Sequence, residues 1–169
     1  MSRMQRFRES WQDVSVQTTS PNGCIHLTNR GDREFRITCD DSWFHRATLG
    51  DFTTQLGRLF KLALVERTQA YNRHKEMVTG LQITPIDGSR NPHLQTFVDK
   101  RDNLAVEGVS ADGTVSIASV GLTHFVITID SQLWARRDRL AVQRALDEAG
   151  TAMVADQFRK MYELKQAGH

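Results

Sequence analysis

Apolar and polar positions alternate with a two-residue period in six short stretches of the chain. Three stretches lie in the first half and three in the second, and turn-forming residues bound each of them. A two-residue period is typical of strands with one buried face. The pattern predicts strands near 14–18, 24–28, 34–39, 104–109, 114–119 and 124–129.

Each group of three strands is followed by a stretch in which apolar residues recur every three or four positions. This spacing runs from Leu49 to Ala70 in the first half and from Val142 to Met153 in the second. It predicts two long amphipathic helices. Helical patterns also precede each group of strands, near 3–11 and 92–101. Each half therefore reads as helix, three strands and long helix.

The two halves match each other at an offset of 90 residues. No gap is needed between 4–40 and 94–130, and 10 of these 37 aligned pairs are identical. The identities fall on turn glycines, strand aromatics and strand-end aspartates, where backbone and core demand them. We interpret the match as an internal duplication. Residues 1–79 form the first repeat, 80–91 a linker and 92–169 the second repeat.

A three-stranded sheet with one long helix is a small unit that buries only part of its apolar surface. Such units are usually stabilised by packing against a second copy. We therefore predict an α+β fold in which two tandem α-β-β-β-α repeats, each a three-stranded antiparallel meander plus a long helix, pack as a pseudo-dimer. The short linker leaves open whether the repeats pack within one chain or exchange between chains, and a homodimer is a further option.

The second repeat carries a short motif. It consists of the stretch SADGTVSI from Ser110 to Ile117, then Gly121, then the strand FVITID ending at Asp130, and a closing helix with several alanines. This motif resembles the YbaB/EbfC family. The first repeat is similar to the family through Gly23, Ile25, Leu27, Gly31, Ile37 and Asp40.

The resemblance implies two functions. Ordinary YbaB/EbfC members are small nucleoid-associated homodimers that bind DNA. Some diverged relatives, the Esp group, are cytosolic accessory proteins of actinobacterial type VII secretion that bind or chaperone protein partners. This chain departs from ordinary members because it carries two repeats in one polypeptide. Protein binding is therefore the first hypothesis, and DNA binding is the alternative.

Composition limits the function classes further. Lys and Arg number 22 and Asp and Glu 20, a formal net charge of +2, so the chain is not a polycation. No apolar run has the roughly 18 residues of a membrane span, and the first residues do not read as a signal peptide. Two cysteines are too few for a disulfide scaffold. We expect a cytoplasmic protein without a membrane span.

The DNA alternative depends on clustered arginines, whose guanidinium groups suit phosphate oxygens. The candidate residues are Arg30, Arg33, Arg36, Arg136, Arg137 and Arg139. The first three correspond to Val120, Thr123 and Val126, so that cluster belongs to one repeat only. Neighbouring acidic residues dilute each cluster, and ordinary solvated charge is the favoured explanation of these arginines.

The protein-binding hypothesis depends on aromatic residues after the third strands and on an asymmetry between the repeats. Apolar residues stand near the second turn of the second repeat where the first repeat has charges. Exposed apolar patches usually bind partners. The candidate surface is Trp43, Phe44, Val120, Leu122 and Trp134. Two alternatives remain open: the aromatics pack the joint between sheet and helix, or the first repeat covers the apolar positions.

Residue types that carry catalysis are present without a recognisable arrangement. The six histidines lack zinc-ligand spacing, and Cys39 shares the apolar face of its strand. The pair Asp40 and Asp41 recurs only in part, as Asp130 and Ser131. No nucleotide-binding glycine motif or nucleophile motif is found. We expect no catalytic residues, no metal site, no cofactor and no enzymatic activity.

Overall fold

The fold comes from a computed structural model that describes residues 1–81, 92–121 and 123–167, without the side chains of His93 and Leu94. Six helices and six strands lie in these ranges. The first half contains α1 (Arg3–Trp11), β1 (Ser15–Thr19), β2 (Ile25–Arg30), β3 (Glu34–Cys39), α2 (Asp41–Arg46) and α3 (Leu49–Thr79). The second contains α4 (Pro92–Asp102), β4 (Ala105–Val109), β5 (Val115–Val120), β6 (His124–Ile129), α5 (Ser131–Ala135) and α6 (Arg139–Ala167).

The strands form two separate three-stranded antiparallel sheets, in the orders β1-β2-β3 and β4-β5-β6. The predicted α+β class and both meanders are confirmed, with strand ends shifted by one or two residues. The registers of the two sheets correspond at the 90-residue offset. Ser15 pairs with Arg30 in the first sheet, and Ala105 pairs with Val120 in the second.

The hairpins between the first two strands of each sheet turn at a glycine. Gly23 and Gly113 have φ angles of 77° and 76°, a left-handed conformation that glycine adopts without steric cost. Each glycine N–H donates to a serine carbonyl three residues earlier, at 2.9 Å from Ser20 and Ser110 respectively. The hairpins predicted from the Asn-Gly and Asp-Gly pairs are therefore present.

Helix ends follow the capping residues. The Thr48 hydroxyl accepts from the Asp51 N–H at 3.1 Å and starts α3, and Gly80 ends it with a φ of 71°. The short helices α2 and α5 were not predicted. Each begins directly after the aspartate that ends the third strand, and the Asp130 side chain accepts from the Leu133 N–H at 3.2 Å.

The core lies between the sheets and the two long helices. α3 packs on β1 and β2 of the first sheet and on β6 of the second, whereas α6 packs on β4 and β5 of the second sheet and on β3 of the first. Phe60 of α3 links the two halves, because its ring lies 5.5 Å from Phe35 and 5.7 Å from Phe125. The buried side chains of both halves form one continuous cluster.

Polar side chains of α6 complete the free edge of β3. The Gln143 side-chain oxygen accepts from the Cys39 N–H at 2.9 Å, and an Asp147 carboxylate oxygen accepts from the Ile37 N–H at 2.6 Å. Unpaired edge groups are costly when buried, so these two bonds stabilise the contact between α6 and the first sheet.

Burial is the main cause that raises the pKa of the Asp147 carboxyl, to about 6, although the Ile37 N–H and nearby Arg36 favour the ionised form. Between the unfolded pKa and this value, the native state binds more protons than the unfolded state. The Asp147 contribution to the free energy of unfolding therefore falls as pH rises from about 4 to about 6.

Asp147→Asn keeps a side-chain oxygen that can accept from the Ile37 N–H but removes the buried charge. We expect the variant to be more stable than the wild type at about pH 7.5, with the difference shrinking towards pH 4. Urea unfolding of both proteins across this range measures the difference. A variant that is less stable at pH 7.5 would contradict the assignment.

The predicted linker, 80–91, lies outside the described residues except for Gly80 and Leu81. No helix in the described ranges combines the length and apolar character that crossing a membrane needs.

Candidate binding surfaces

The aromatic residues that the sequence placed in a binding surface lie mainly inside the protein. Phe44 is 0% exposed and Trp134 is 7% exposed. Their rings meet at 5.1 Å, and both contact Phe52 of α3; Trp43, which is half-buried, stacks on the same ring at 5.7 Å. Phe44 and Trp134 are therefore core residues, and the packing alternative describes them, because the unpredicted helices α2 and α5 turn both side chains inward.

The apolar positions on the second sheet are accessible. Val120 is 48% exposed and Val126 is 53% exposed, so the first half does not cover them. Leu122, the third apolar position of the asymmetry, lies outside the described residues.

The strand pairing of the second sheet shows which other side chains lie on the same face as Val120 and Val126. Ala105 pairs with Val120, and Ala118 pairs with Val126, so the four side chains lie on one face of the second sheet. We call this the second-sheet apolar face; its members are Ala105, Val109, Ala118, Val120 and Val126. The equivalent residues of the first sheet are Ser15, Thr19, Thr28, Arg30 and Arg36. Glu107, which pairs with Ala118, lies on the same face, as do Ser116, His124 and Thr128, so the aliphatic side chains form a patch around one carboxylate. The equivalent positions of the first sheet carry no apolar residue.

The first arginine cluster is only partly free. Arg30 donates to Asp13 at 3.1 Å. Arg33 and Arg36 are exposed, and their side chains have no hydrogen-bond partner in the part of the chain that the structure describes. These three residues lie on β2, the following turn and β3.

The second cluster is mostly engaged within the protein. Arg137 donates to the main-chain oxygen of Ala47 at 2.8 Å and stacks over the Trp134 ring at 4.8 Å. Arg139 donates to Asp41 and to the Cys39 carbonyl, at 3.1 and 3.2 Å. Only Arg136 of this cluster is exposed without a described side-chain partner. The two engaged arginines fasten the first half to the second.

A half-buried polar network was not anticipated from the sequence. The Arg67 guanidinium forms an ion pair with Asp32 and donates to Asn29 at 2.9 Å. Trp11 and Gln12 also donate to the Asp32 carboxylate. Burial lowers the pKa of Arg67, and Asp32 opposes that change. Because Asp32 is held by three donors, it fixes the second turn of the first sheet.

A groove between β1 and α3 was also missed. Its volume is about 530 Å³, and its lining residues are Val14, Ser15, Val16, Gln17, Glu66, Gln69, Ala70, Arg73, His74 and Met77. The repeat alignment contained a signal for it, because Thr18 stands where the second half has Gly108.

The reactive residue types do not converge on a catalytic arrangement in the described chain. Burial raises the pKa of the Cys39 thiol to about 11, so it stays protonated at neutral pH. Asp41 pairs with Arg139 and His45, and Asp40 lies 3.5 Å from His26. Within residues 1–81, 92–121 and 123–167, no group of three or more His, Cys, Asp or Glu is placed to hold a metal ion.

Comparisons with protein-family models, with curated proteins and with solved structures find no significant match to this chain.

Proposed function

We propose that the two halves are duplicated repeats packed as a pseudo-dimer. The equivalent registers of the two sheets support this proposal, as do the equivalent turns at Gly23 and Gly113. The packing between the halves supports it further, because each long helix contacts the sheet of its own half and that of the other half.

We propose that the protein is a non-enzymatic cytoplasmic factor that binds a protein partner. The observation that carries this proposal is the second-sheet apolar face, which is accessible and whose equivalents on the first sheet are polar. Covering exposed aliphatic side chains with a partner stabilises the complex by about 25 cal/mol of free energy for each Å² of apolar surface removed from water. This aliphatic patch fits an apolar protein surface. A nucleic-acid backbone needs cations, whereas the charged residue within the patch is the acidic Glu107.

The resemblance of the chain to the Esp group extends this proposal to a class of partner. We propose that the partner is a substrate or component of type VII secretion. The apolar face would bind it, and the protein would act as its accessory or chaperone factor. No cofactor or metal takes part in such binding.

The phosphate-binding alternative has weaker support. Arg30, Arg137 and Arg139 donate to groups of the protein itself. The same chain lacks a second basic cluster at the equivalent positions of the other repeat. Duplex DNA of random sequence, titrated at about 50 and 200 mM salt, tests the alternative; tight and salt-sensitive binding would favour it.

The apolar face is tested by the double substitution Val120→Asp and Val126→Asp. Both side chains are exposed, so the fold is retained, which circular dichroism checks. We expect the proteins that co-purify with the wild-type chain from its native cytosol to be lost, because charged residues in the centre of an apolar contact must be desolvated. Quantitative mass spectrometry measures the loss.

The matched control places aspartates at the equivalent positions of the first sheet, Arg30→Asp and Arg36→Asp. We expect this control to keep the co-purifying proteins. If the two double variants retain the same proteins as the wild type, the second-sheet apolar face is not the binding surface.

A further inference from the structure

The outer edge of β1 carries main-chain groups without a partner in the described chain. The Gly31 N–H donates to the Val14 carbonyl at 3.0 Å, which fixes the side of the strand that bonds to β2. Bonding alternates along an antiparallel pair. Ser15 and Gln17 therefore direct their N–H and C=O groups away from β2, and no described residue hydrogen-bonds to them.

The equivalent edge of β4 is closed by the protein itself. Asp156 of α6 accepts from the Glu107 N–H at 2.9 Å. The Lys160 ammonium donates to the Ala105 carbonyl at 2.8 Å. These two α6 side chains occupy the main-chain groups that remain open on β1.

Two sequence differences between the halves explain why one edge is closed and the other open. In the second half, Gly108 lets the α6 backbone approach β4 closely, whereas in the first half Thr18 carries a side chain whose hydroxyl donates to Glu66 at 2.8 Å. The position of Lys160 is occupied by Ala70, which cannot reach the edge.

The consequence is visible at a residue that is identical in both halves. Val106 is 2% exposed beneath α6, but its equivalent, Val16, is only half-buried beneath α3. The groove of about 530 Å³ lies at this place, beside the open edge.

The α3 wall of the groove has a defined chemistry. Ala70 and Met77 supply apolar surface, and Arg73 supplies an exposed guanidinium that has no ion-pair partner among residues 1–81, 92–121 and 123–167. Glu66, at the other end, accepts from the neutral Thr18 hydroxyl and keeps its own charge. An occupant therefore meets a positive charge beside the aliphatic floor at the Arg73 end and a carboxylate at the Glu66 end.

We infer that this groove binds an extended segment of a partner protein, which adds a strand to β1. The segment carries an aliphatic side chain facing Ala70 and Met77 and an acidic side chain facing Arg73. Main-chain bonds to Ser15 and Gln17 supply affinity, and the side chains in the groove supply specificity. An open strand edge beside a preformed groove suits this mode of recognition.

The inference does not rest on the second-sheet apolar face. The groove lies at β1 and α3, and the test of the apolar face changes Val120 and Val126 on the other sheet. Failure of one test leaves the other unaffected.

A library of random 10-residue peptides displayed on phage is the probe, selected against the purified full chain. We expect enriched peptides to alternate aliphatic or β-branched residues and to contain Asp or Glu. Their affinities are then measured by fluorescence anisotropy with the wild type and with variants of the groove.

Ala70→Lys is the main variant, because it places a lysine where Lys160 closes the equivalent edge. We expect it to weaken peptide binding at least about tenfold. Thr68→Lys adds the same charge to an exposed α3 position that does not line the groove, and we expect it to leave the affinity unchanged.

Two further variants separate the main-chain and charge contributions. Gln17→Pro removes an outward N–H while keeping the ladder bonds to β2, and we expect a loss of tenfold or more. Arg73→Glu is expected to remove the preference for acidic peptides. The inference is overturned if no peptide is enriched above background, or if the enriched peptides bind Ala70→Lys as tightly as wild type.

Discussion

Gly108→Ala is expected to destabilise the protein by about 3 kcal/mol or more. Gly108 lies on β4, directly beneath α6. An added Cβ atom would overlap the Ala149 carbonyl oxygen and the Met153 main-chain nitrogen. Both are backbone atoms of α6, so no side-chain rotation can relieve the overlap. The helix itself must move away from the sheet, and its bonds to the β4 edge are then lost.

Gly57→Ala is the matched control. Gly57 lies inside α3, and the nearest atom to its added Cβ is the Ile127 Cδ1 at 3.8 Å, an ordinary contact distance. Alanine is favoured over glycine inside a helix by up to about 1 kcal/mol. We expect this variant to be as stable as the wild type or slightly more stable.

Urea unfolding followed by circular dichroism measures both variants. A Gly108→Ala protein within about 0.5 kcal/mol of the wild type would show that α6 does not approach β4 as closely as described. The comparison with Gly57→Ala separates this contact from the general effect of removing a glycine.

The regular elements could be predicted because their signals are local. Alternation of apolar residues predicts the strands, and the turn glycines Gly23 and Gly113 locate the first hairpins. Thr48 caps α3 directly before its sequence pattern begins, and Gly80, the first residue of the predicted linker, ends the helix. Each of these signals lies within a few positions of the element that it predicts.

The exposure of the aromatic residues could not be predicted in the same way. Phe44 and Trp134 lie one turn into short helices that have no periodic signal of their own. Their burial depends on contact with Phe52 of α3, which is a tertiary event. Residue type alone therefore left both a surface role and a packing role open for two side chains that belong to the core.

The roles of the arginines depend on partners far away in sequence. Arg139 reaches the Cys39 carbonyl of the other half, and Arg67 reaches Asp32 across the first sheet. A cluster of basic residues in the sequence does not distinguish such internal donors from free charges. The apolar character of Val120 and Val126 is visible in the comparison of the two halves, but their exposure depends on what packs over the second sheet.

The groove beside β1 could be predicted in part. Its cause, Thr18 in place of Gly108, is visible in the repeat alignment. Whether a groove forms depends on how closely each long helix approaches its sheet. No sequence pattern within one half specifies that distance. The comparison of the two halves supplies a reference for it, because the second half shows how closely a long helix packs where glycine replaces Thr18.

Arg137→Ala is expected to destabilise the protein by about 2–3 kcal/mol, the second of the large effects. The Arg137 side chain donates to the main-chain oxygens of Phe44 and Ala47, at 3.3 and 2.8 Å, and stacks over Trp134. Removing it leaves two carbonyls at the end of α2 without their charged donor. It also removes a direct tie between the two halves of the chain.

The backbone of Arg137 allows a sharper version of the experiment. Its φ angle is 53°, a left-handed conformation in which a side chain costs about 1 kcal/mol relative to glycine. Arg137→Gly loses the same hydrogen bonds as Arg137→Ala but relieves this strain. We therefore expect the order of stability to be wild type, then the glycine variant, then the alanine variant.

The same urea titrations measure this order, and Arg137→Lys adds a test of the stacking, because lysine keeps the charge but lacks the planar group. We expect the lysine variant to lie between the wild type and Arg137→Ala. An Arg137→Ala variant as stable as the wild type would show that the Arg137 contacts do not stabilise the packing between the halves. The residue equivalent to Arg137 is Ala47, whose carbonyl accepts the bond, so the first half has no reciprocal donor. The contact depends on a sequence difference between the halves, as do the apolar face and the groove.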